Sequence, residues 1–333
     1  MEEILHREQL QEIAPISLET ELAVLTKAGQ ISEALKSPYE KTVALIGPCA
    51  MTQHPVELVL EGQKIAALQD ENLITVQRMP VWKPRTNPDK DWKGLETSLV
   101  KIHADGKGYA LPGTEVEGLA TAYSILVEAA AQHGGAAIEV ANTQHIDRYE
   151  SLLSFAWSGS RSIGNREQIL ALATRDPKVP LGIKNGMSGD ISEALAVVEA
   201  VERERAPAIE EEKPAPAVLI FRGGEDLDIP EKWENAYKEA LNRTGGKLIV
   251  DVAHGSEMAH DPNGNFKKSV EGQIRAMEAV IRLASEGYVS AGIMIEASDL
   301  ESPTDPVMPL QTALDGVKRL HKIKLAQLAK AKV

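Results

Sequence analysis

The sequence has few cysteines, fewer basic than acidic residues, and no long apolar run. One cysteine, Cys49, among 333 residues excludes an internal disulfide framework and fits a reducing compartment. The net charge of −13 argues against binding to nucleic acid or anionic membranes, because both would repel the chain. No apolar stretch reaches the roughly 18 residues of a membrane span. The charged start MEEILHREQLQE does not resemble a signal peptide. We therefore expect a soluble, cytoplasmic protein that acts on small molecules.

Eight short apolar runs alternate with helical stretches along the chain. The runs lie at 42–47, 73–78, 135–141, 154–160, 179–186, 217–224, 246–254 and 290–297. Near-continuous apolar runs are typical of parallel strands that are buried on both faces. Eight strand–helix units predict an α/β fold of the closed (β/α)8 TIM-barrel type. An open doubly wound sheet is the alternative, but it should carry a GxGxxG or P-loop motif after an early strand, and neither occurs.

Two segments stand apart from this alternation. Residues 1–40 have a helical pattern and are expected to form an N-terminal extension before a catalytic barrel at 41–330. Within it, residues 10–25 have apolar side chains on one helical face, which would pack on a neighbouring subunit or on the base of the barrel. The Pro-rich, acidic segment at 201–217 predicts a solvated loop before the sixth strand.

A polar or reactive side chain stands at the end of every predicted strand. Barrel enzymes place their chemistry at the C-terminal ends of the strands, which share one rim. In chain order the residues at these ends are Cys49, Arg78, Glu139, Arg161, Lys184, Arg222, His254 and Glu296. We expect these side chains to converge on one cavity.

Basic residues form the first chemical group at this rim. They are Arg78, Lys83, Arg85, Arg161, Lys184 and Arg222. Six cations facing one cavity would repel one another unless an anion neutralised them, so the group indicates a polyanionic small ligand. Arginine offers paired donors to phosphate or carboxylate, and lysine offers a point charge. For any one of these residues alone, a solvated loop charge or a local ion pair is the alternative.

Four further residues form a second group with metal-binding chemistry. They are Cys49, His254, Glu296 and Asp305, the last of which lies in the SPTDP segment after the final predicted strand. A thiolate, an imidazole and two carboxylates suit Mn, Fe, Co or Zn better than Mg or Ca. No CxxC or HExxH spacing supports a metal site, and a lone cysteine is usually a small buried hydrophobe. From the residues alone the site stays open.

The order of these motifs matches a known family. The motifs are GPCA (47–50), KPRT (83–86) with WKGLE (92–96), GIKNG (182–186), FRGG (221–224), DVAH (251–254) and IMIEA (293–297). With them the chain resembles type I 3-deoxy-7-phosphoheptulonate (DAHP) synthases from about residue 43 to 325. The resemblance implies a homo-oligomeric (β/α)8 barrel, dimer or tetramer, that condenses phosphoenolpyruvate with erythrose 4-phosphate. This reaction opens the shikimate pathway to the aromatic amino acids.

The resemblance also implies a role for each residue of the site. The ligands of a divalent metal ion (Mn, Co, Fe or Zn) would be Cys49, His254, Glu296 and Asp305. Phosphoenolpyruvate would bind to Arg78, Arg161, Lys184 and Arg222. The aldehyde phosphate would bind to Lys83, Pro84, Arg85 and Thr86. Lys83 is a candidate proton donor to the developing alkoxide, and Glu139 is a candidate for positioning water.

Several segments depart from the family pattern. SIGNREQ at 162–168 replaces the acidic-polar stretch expected after the fourth-strand arginine, near the phosphoenolpyruvate site. The segment at 201–217 replaces a strand-rich insertion that helps to form the aromatic amino acid site in feedback-regulated members. The loop from Glu296 to Asp305 is short, and MPVW at 79–82 replaces the usual lead-in to KPRT. These departures leave substrate positioning, feedback regulation and the Asp305 ligand open.

Three functions are compatible with this pattern. The first is DAHP synthesis. The second is condensation of phosphoenolpyruvate with a different phosphorylated aldehyde in specialised metabolism. The third is regulation by a non-catalytic paralogue that binds a phosphorylated metabolite or a partner. The intact KPRT motif favours a phosphorylated aldehyde, and the four candidate metal ligands argue against a protein that only binds.

Overall fold

Each of the eight apolar runs contains a β-strand. The computed structural model describes residues 6–48, 56–81, 94–95, 115–206, 214–224, 230–254, 259–260, 266–267, 269–300 and 306–331. The strands are Thr42–Gly47 (β1), Leu73–Met79 (β2), Ala136–Glu139 (β3), Leu153–Ser158 (β4), Leu181–Lys184 (β5), Ala217–Phe221 (β6), Leu248–Asp251 (β7), Ala259–His260 (β8), Phe266–Lys267 (β9) and Gly292–Glu296 (β10).

Helices precede the barrel and separate its strands. They are Arg7–Ile13 (α1), Leu18–Lys36 (α2), Val56–Ala66 (α3), Glu115–His133 (α4), Thr143–Tyr149 (α5), Arg166–Arg175 (α6), Ile191–Arg205 (α7), Pro230–Thr244 (α8), Val270–Ser285 (α9) and Leu310–Ala331 (α10), with a 3-10 turn at Glu150–Leu152. Side-chain oxygens of Ser17, Asn165 and Ser269 accept backbone N–H groups in the first turns of α2, α6 and α9. These caps explain where the three helices begin. Within the described residues, no helix is both long enough and apolar enough to cross a membrane.

Parallel pairing closes the strands into a barrel. Its order is β1-β10-β7-β6-β5-β4-β3-β2, and β1 pairs with both β2 and β10, so that Val43 lies between Ile74 and Gly292. The short strands β8 and β9 form a separate antiparallel pair. The predicted (β/α)8 barrel is therefore confirmed, and the open doubly wound sheet is wrong because the first and last barrel strands are hydrogen-bonded.

Helix α2 closes the N-terminal end of the barrel. Its residues Ile31 and Leu35 belong to the same buried cluster as Val43 and Ile74 at the starts of β1 and β2. Burying side chains of this size contributes about 1.5–3 kcal/mol each, which fixes α2 against the strands. The opposite end, where the strands finish, is the end at which barrel enzymes place their chemistry.

One buried cation joins elements near the covered end. The Arg205 guanidinium, at the last residue of α7, donates to the carbonyls of Ala173 (2.8 Å), Ala215 (2.8 Å) and Val179 (3.1 Å). Burial lowers the pKa of Arg205 to about 10, so the side chain stays charged at neutral pH. It ties the end of α7 to the segment before β5 and to the segment before β6.

Replacing Arg205 with Met should destabilise the fold. The substitution leaves buried carbonyls without their donor, so we expect the free energy of unfolding to fall by about 2–4 kcal/mol. Arg203→Met, at an exposed position of the same helix, should change it by no more than about 0.5 kcal/mol. Urea unfolding at pH 7 measures both. Equal losses in the two variants would contradict the role of Arg205.

Candidate active site

The described candidate residues lie at the C-terminal end of the barrel. Arg78 is the penultimate residue of β2, and Arg222 follows β6 directly. Arg161 and His254 lie three residues beyond β4 and β7. The last residues of β3, β5 and β10 are Glu139, Lys184 and Glu296. The remaining candidates, whose predicted roles stay predictions because they lie outside the described residues, are Cys49, Lys83, Pro84, Arg85, Thr86 and Asp305.

A buried ion pair joins β2 to β10. Arg78 Nη2 lies 2.8 Å from Glu296 Oε1, and the two side chains are 1% and 0% exposed. The guanidinium also lies 5.4 Å from the centre of the Trp157 ring, a distance suited to a cation–π contact. Neither charge can turn to water, so each depends on the other and on its neighbours. The pair therefore holds Arg78 in one orientation at the C-terminal end of the barrel.

A second network connects β5 and β7 through Asp251. Its Oδ2 lies 2.6 Å from Lys184 Nζ and 2.9 Å from His254 Nδ1, and its Oδ1 accepts the N–H of Ala253 at 2.9 Å. Burial alone would raise the pKa of the Asp251 carboxyl, but the charges of His254 and Lys184 outweigh it and hold that pKa well below its usual value. Burial lowers the pKa of Lys184, and Asp251 opposes this shift. Lys184 is thus a buried cation whose charge is sustained mainly by the Asp251 carboxylate.

The orientation of His254 brings the two networks together. Because Nδ1 faces the Asp251 carboxylate, Nδ1 donates to it, and Nε2 is the nitrogen directed at Glu296. Nε2 lies 3.3 Å from Glu296 Oε1. Two electron-pair donors face each other at this point, and a proton or a metal ion between them satisfies both. The donor set therefore fits a divalent cation.

The described part of the chain contains half of the predicted metal ligands. His254 and Glu296 are brought together, whereas Cys49 and Asp305 lie outside the described residues. Among the described residues, no group of three or more His, Cys, Asp or Glu side chains is arranged to hold a metal ion. A complete ligand set would thus need the other two residues.

Asn185 fixes the backbone beside Arg222. Its buried side chain accepts the N–H of Arg222 at 2.8 Å and donates to the carbonyls of Gly223 (2.9 Å) and Gly186 (3.2 Å). An amide suits this place because it both donates and accepts, whereas a carboxylate could not donate. The ends of β5 and β6 are thereby held together, which keeps Lys184 and Arg222 on neighbouring positions of the rim.

Glu139 and Arg161 occupy the rim around β3 and β4. Glu139 is half-buried, and a Cβ atom at Gly159 would come closer to its Oε1 than van der Waals contact allows. Glycine at this position therefore leaves the room that Glu139 fills. The carboxylate also supports the charged form of Lys184 electrostatically. Arg161 lies farther out and is exposed on the turn after β4.

Sequence reasoning missed Asp251 and Asn185. Both occur in motifs that the sequence shows, DVAH and GIKNG, which also contain the predicted site residues His254 and Lys184. A signal existed for Asp251, since an aspartate at the end of the apolar run KLIVD is unusual unless it is paired. No local signal indicates that Asn185 bonds to residues 37 and 38 positions away.

Replacing Asp251 with Asn should lower stability strongly. It leaves the buried ammonium of Lys184 without its partner, so we expect a loss of about 3–5 kcal/mol at pH 7 by urea unfolding. The low pKa of Asp251 means that this contribution is present above the unfolded-state pKa near 3.9 and is lost as the pH falls through the folded-state pKa. The difference from wild type should shrink below about pH 4.

Asp147→Asn is the matched control for this experiment. Asp147 pairs with Arg175 at the surface, and its loss should change the free energy of unfolding by less than about 1 kcal/mol. A loss in Asp251→Asn no larger than in the control would show that the buried network does not stabilise the fold.

Comparisons with known proteins agree with this architecture. A model of the DAHP synthetase I family matches residues 27–324. The Tyr-sensitive phospho-2-dehydro-3-deoxyheptonate aldolase of Salmonella typhimurium is 26% identical over 331 residues, which cover 93% of this chain and 85% of the relative. The tyrosine-inhibited enzyme of the same name from Candida albicans is 25% identical over 307 residues, 86% of this chain and 76% of the relative.

A solved structure supports the fold. Phospho-2-dehydro-3-deoxyheptonate aldolase from Francisella tularensis matches with a TM-score of 0.73 over 98% of both chains, at 16% identity. Identity this low shows the fold alone. The family model, in contrast, covers most of the sequence. The chain therefore belongs to the DAHP synthetase I family.

Proposed function

We propose that the protein catalyses the metal-dependent, aldol-type condensation of phosphoenolpyruvate with erythrose 4-phosphate, giving 3-deoxy-D-arabino-heptulosonate 7-phosphate and phosphate. The observation that carries this proposal is the pair of buried cations at the strand ends, Arg78 and Lys184, each held by a carboxylate. In a member of this family, buried positive charge at that place supports binding of the phosphorylated enol acid.

Phosphoenolpyruvate would bind to four cations at the rim. They are Arg78, Lys184, Arg222 and Arg161. The first three are buried, where the attraction between opposite charges is little screened by solvent. Asn185 would keep Arg222 beside Lys184, so that both reach the same anion. Arg161 is exposed and would approach the substrate from the rim.

The reaction then needs two proton-handling groups. C3 of phosphoenolpyruvate attacks the aldehyde carbon, the aldehyde oxygen takes up a proton, water adds at C2, and phosphate leaves with cleavage of its C–O bond. Lys83 would give the proton to the developing alkoxide. Glu139, in the space beside Gly159, would position the water. The aldehyde phosphate would bind to Lys83, Pro84, Arg85 and Thr86.

His254 and Glu296 would hold the divalent metal ion together with Cys49 and Asp305. When bound, the ion (Mn, Co, Fe or Zn) would supply Lewis-acid polarisation of the aldehyde oxygen. Asp251 supports this role because it fixes the tautomer of His254 and directs Nε2 towards Glu296. The Asp251 carboxylate also pairs with Lys184. One side chain would therefore support both the metal ligand His254 and a residue that binds phosphoenolpyruvate.

The activity test uses protein stripped of metal with a chelator. With phosphoenolpyruvate, erythrose 4-phosphate and added Mn²⁺, we expect phosphate release and the heptulosonate product by mass spectrometry, and neither without metal. Arg161→Ala should lower kcat/KM for phosphoenolpyruvate by about 10- to 150-fold, since a hydrogen bond to a charged group contributes about 1.5–3 kcal/mol. Arg85→Ala should do so for the aldehyde. Lys318→Ala, on the exposed face of α10, is the control.

Other outcomes identify other functions. Binding of phosphoenolpyruvate without product would show that the acceptor is a different aldehyde, and a panel of phosphorylated aldehydes would follow. Failure to bind either substrate would contradict the enzymatic proposal and leave the regulatory paralogue.

We also propose a cytoplasmic homo-oligomer, dimer or tetramer, without nucleic-acid or membrane partners. The acidic charge and single cysteine support the location and the absence of those partners.

An apolar stripe on α2 supports the assembly, since Leu18, Leu22 and Leu25 are 71%, 55% and 49% exposed. A second copy could pack antiparallel, with Leu22 against Leu25 and Leu18 against Gly29, where a Cβ would meet open space. This orientation separates the Glu19 and Glu21 side chains of the two copies.

Leu22→Glu should therefore dissociate the assembly. A charge in the middle of the stripe would be buried without a partner, so we expect a smaller species in sedimentation velocity at micromolar concentration. Leu60→Glu changes a residue of similar exposure, 47%, on α3 and should leave the assembly intact. If both variants sediment like wild type, the subunits associate through another surface or not at all.

A further inference from the structure

A buried carboxylate on α3 holds the chain just beyond Glu296. Glu61 is 3% exposed. Its two oxygens lie 2.9 and 2.8 Å from the hydroxyl of Ser298, and Oε1 accepts the N–H of Asp299 at 2.6 Å. Ser298 and Asp299 follow the last strand by two and three residues. One side chain of α3 thus fixes the first residues after β10.

The same residues are bonded to the chain where it returns beside β10. Ser298 N–H donates to the carbonyl of Met308 at 3.0 Å, and Met308 N–H donates to the carbonyl of Glu296 at 3.0 Å. Asp299 Oδ1 accepts the N–H of Leu310 at 3.2 Å, at the start of α10. The chain therefore leaves β10 after Glu296 and returns beside it at Met308. Glu61 fixes Ser298 and Asp299, the residues on the departing side.

Helix α3 is itself fixed against the strand that carries Arg78. The side chain of Gln77 donates to the carbonyl of Leu58. A Cβ at Gly62 would overlap the side chains of Gln77 and His133, so the helix lies as close to β2 as a glycine permits. Lys64 also reaches Asp299 at 3.1 Å. Helix α3 thus sets the position of β2 and of the chain after β10 at the same time.

We propose that Glu61 is a positioning residue for the metal-binding end of the site. It fixes the chain two and three residues beyond Glu296, from a helix that is itself held against β2. Burying a carboxylate costs desolvation free energy that an apolar side chain would not cost. Its presence at this position fits a role in holding the backbone in place. The inference rests on the proposed function, because it concerns retention of the divalent ion.

The test measures Mn²⁺ affinity by competition with a fluorescent chelator, independently of turnover. Glu61→Ala should raise the Kd about 10- to 100-fold, the usual effect of removing a group that supports metal ligands. Glu61→Gln should restore the Kd to within about threefold of wild type. Its amide oxygen can still accept from Asp299, and its NH2 can donate to the Ser298 hydroxyl. Hydrogen exchange at residues 297–300 should be faster in the Ala variant only.

Lys324→Met is the matched structural control. Lys324 is another buried ionisable residue that bonds to backbone at a barrel end, with Nζ 2.8 Å from the carbonyls of Lys41 and Ser290. These residues precede β1 and β10, at the end away from the site. Its replacement should lower stability in urea and leave the Kd for Mn²⁺ within twofold of wild type.

The outcomes separate the inference from the function on which it rests. If wild type binds Mn²⁺ and Glu61→Ala binds it equally well, the inference is wrong and the proposed function stands. If Lys324→Met weakens binding as much as Glu61→Ala does, the effect is general loss of structure and the inference is wrong. Wild type that binds no Mn²⁺ overturns the metal part of the function together with the inference.

Discussion

Charges buried at the strand ends are the constraint on which the site depends. Arg78 with Glu296, and Lys184 with Asp251, are ion pairs that water hardly reaches. Such pairs persist only when the surrounding backbone is rigid enough to keep their geometry. The closed barrel provides that rigidity because every one of its strands is hydrogen-bonded on both sides. Fold and site are therefore coupled, since the barrel holds charges that an open sheet edge could not.

The two ends of the barrel differ in the contacts that their buried side chains make. At the N-terminal end, α2 fills the opening with apolar side chains, and Arg205 and Lys324 bond to backbone carbonyls. At the other end, the buried charged side chains pair with one another, Arg78 with Glu296 and Lys184 with Asp251. Asp251 links the cation Lys184 to His254, so a change at the proposed anion-binding part of the site would reach the proposed metal-binding part through one carboxylate.

Much of the fold could be predicted from the sequence, and less of the site. The apolar runs identified all eight barrel strands, and the closed topology fixed which residues share a rim. Asp251, Asn185 and Glu61 were not predicted, because their partners lie far away in the chain and no periodic pattern reports such contacts. Cys49, Lys83 and Arg85 were identified from their places after predicted strands, their roles were implied by the resemblance, and these roles stay predictions. Local patterns reveal burial, whereas hydrogen-bond partners depend on the complete fold.

Arg205 has a further consequence for the segment between α7 and β6. Arg205 is the last residue of α7, and its side chain also donates to the carbonyl of Ala215, just before β6. Both ends of the intervening segment are thus tied to one guanidinium. The number of residues between these two points can change with a small entropic effect, since each doubling of loop length costs only about 0.6 kcal/mol. A longer segment can therefore replace this one without shifting β6 or Arg222, which follows β6.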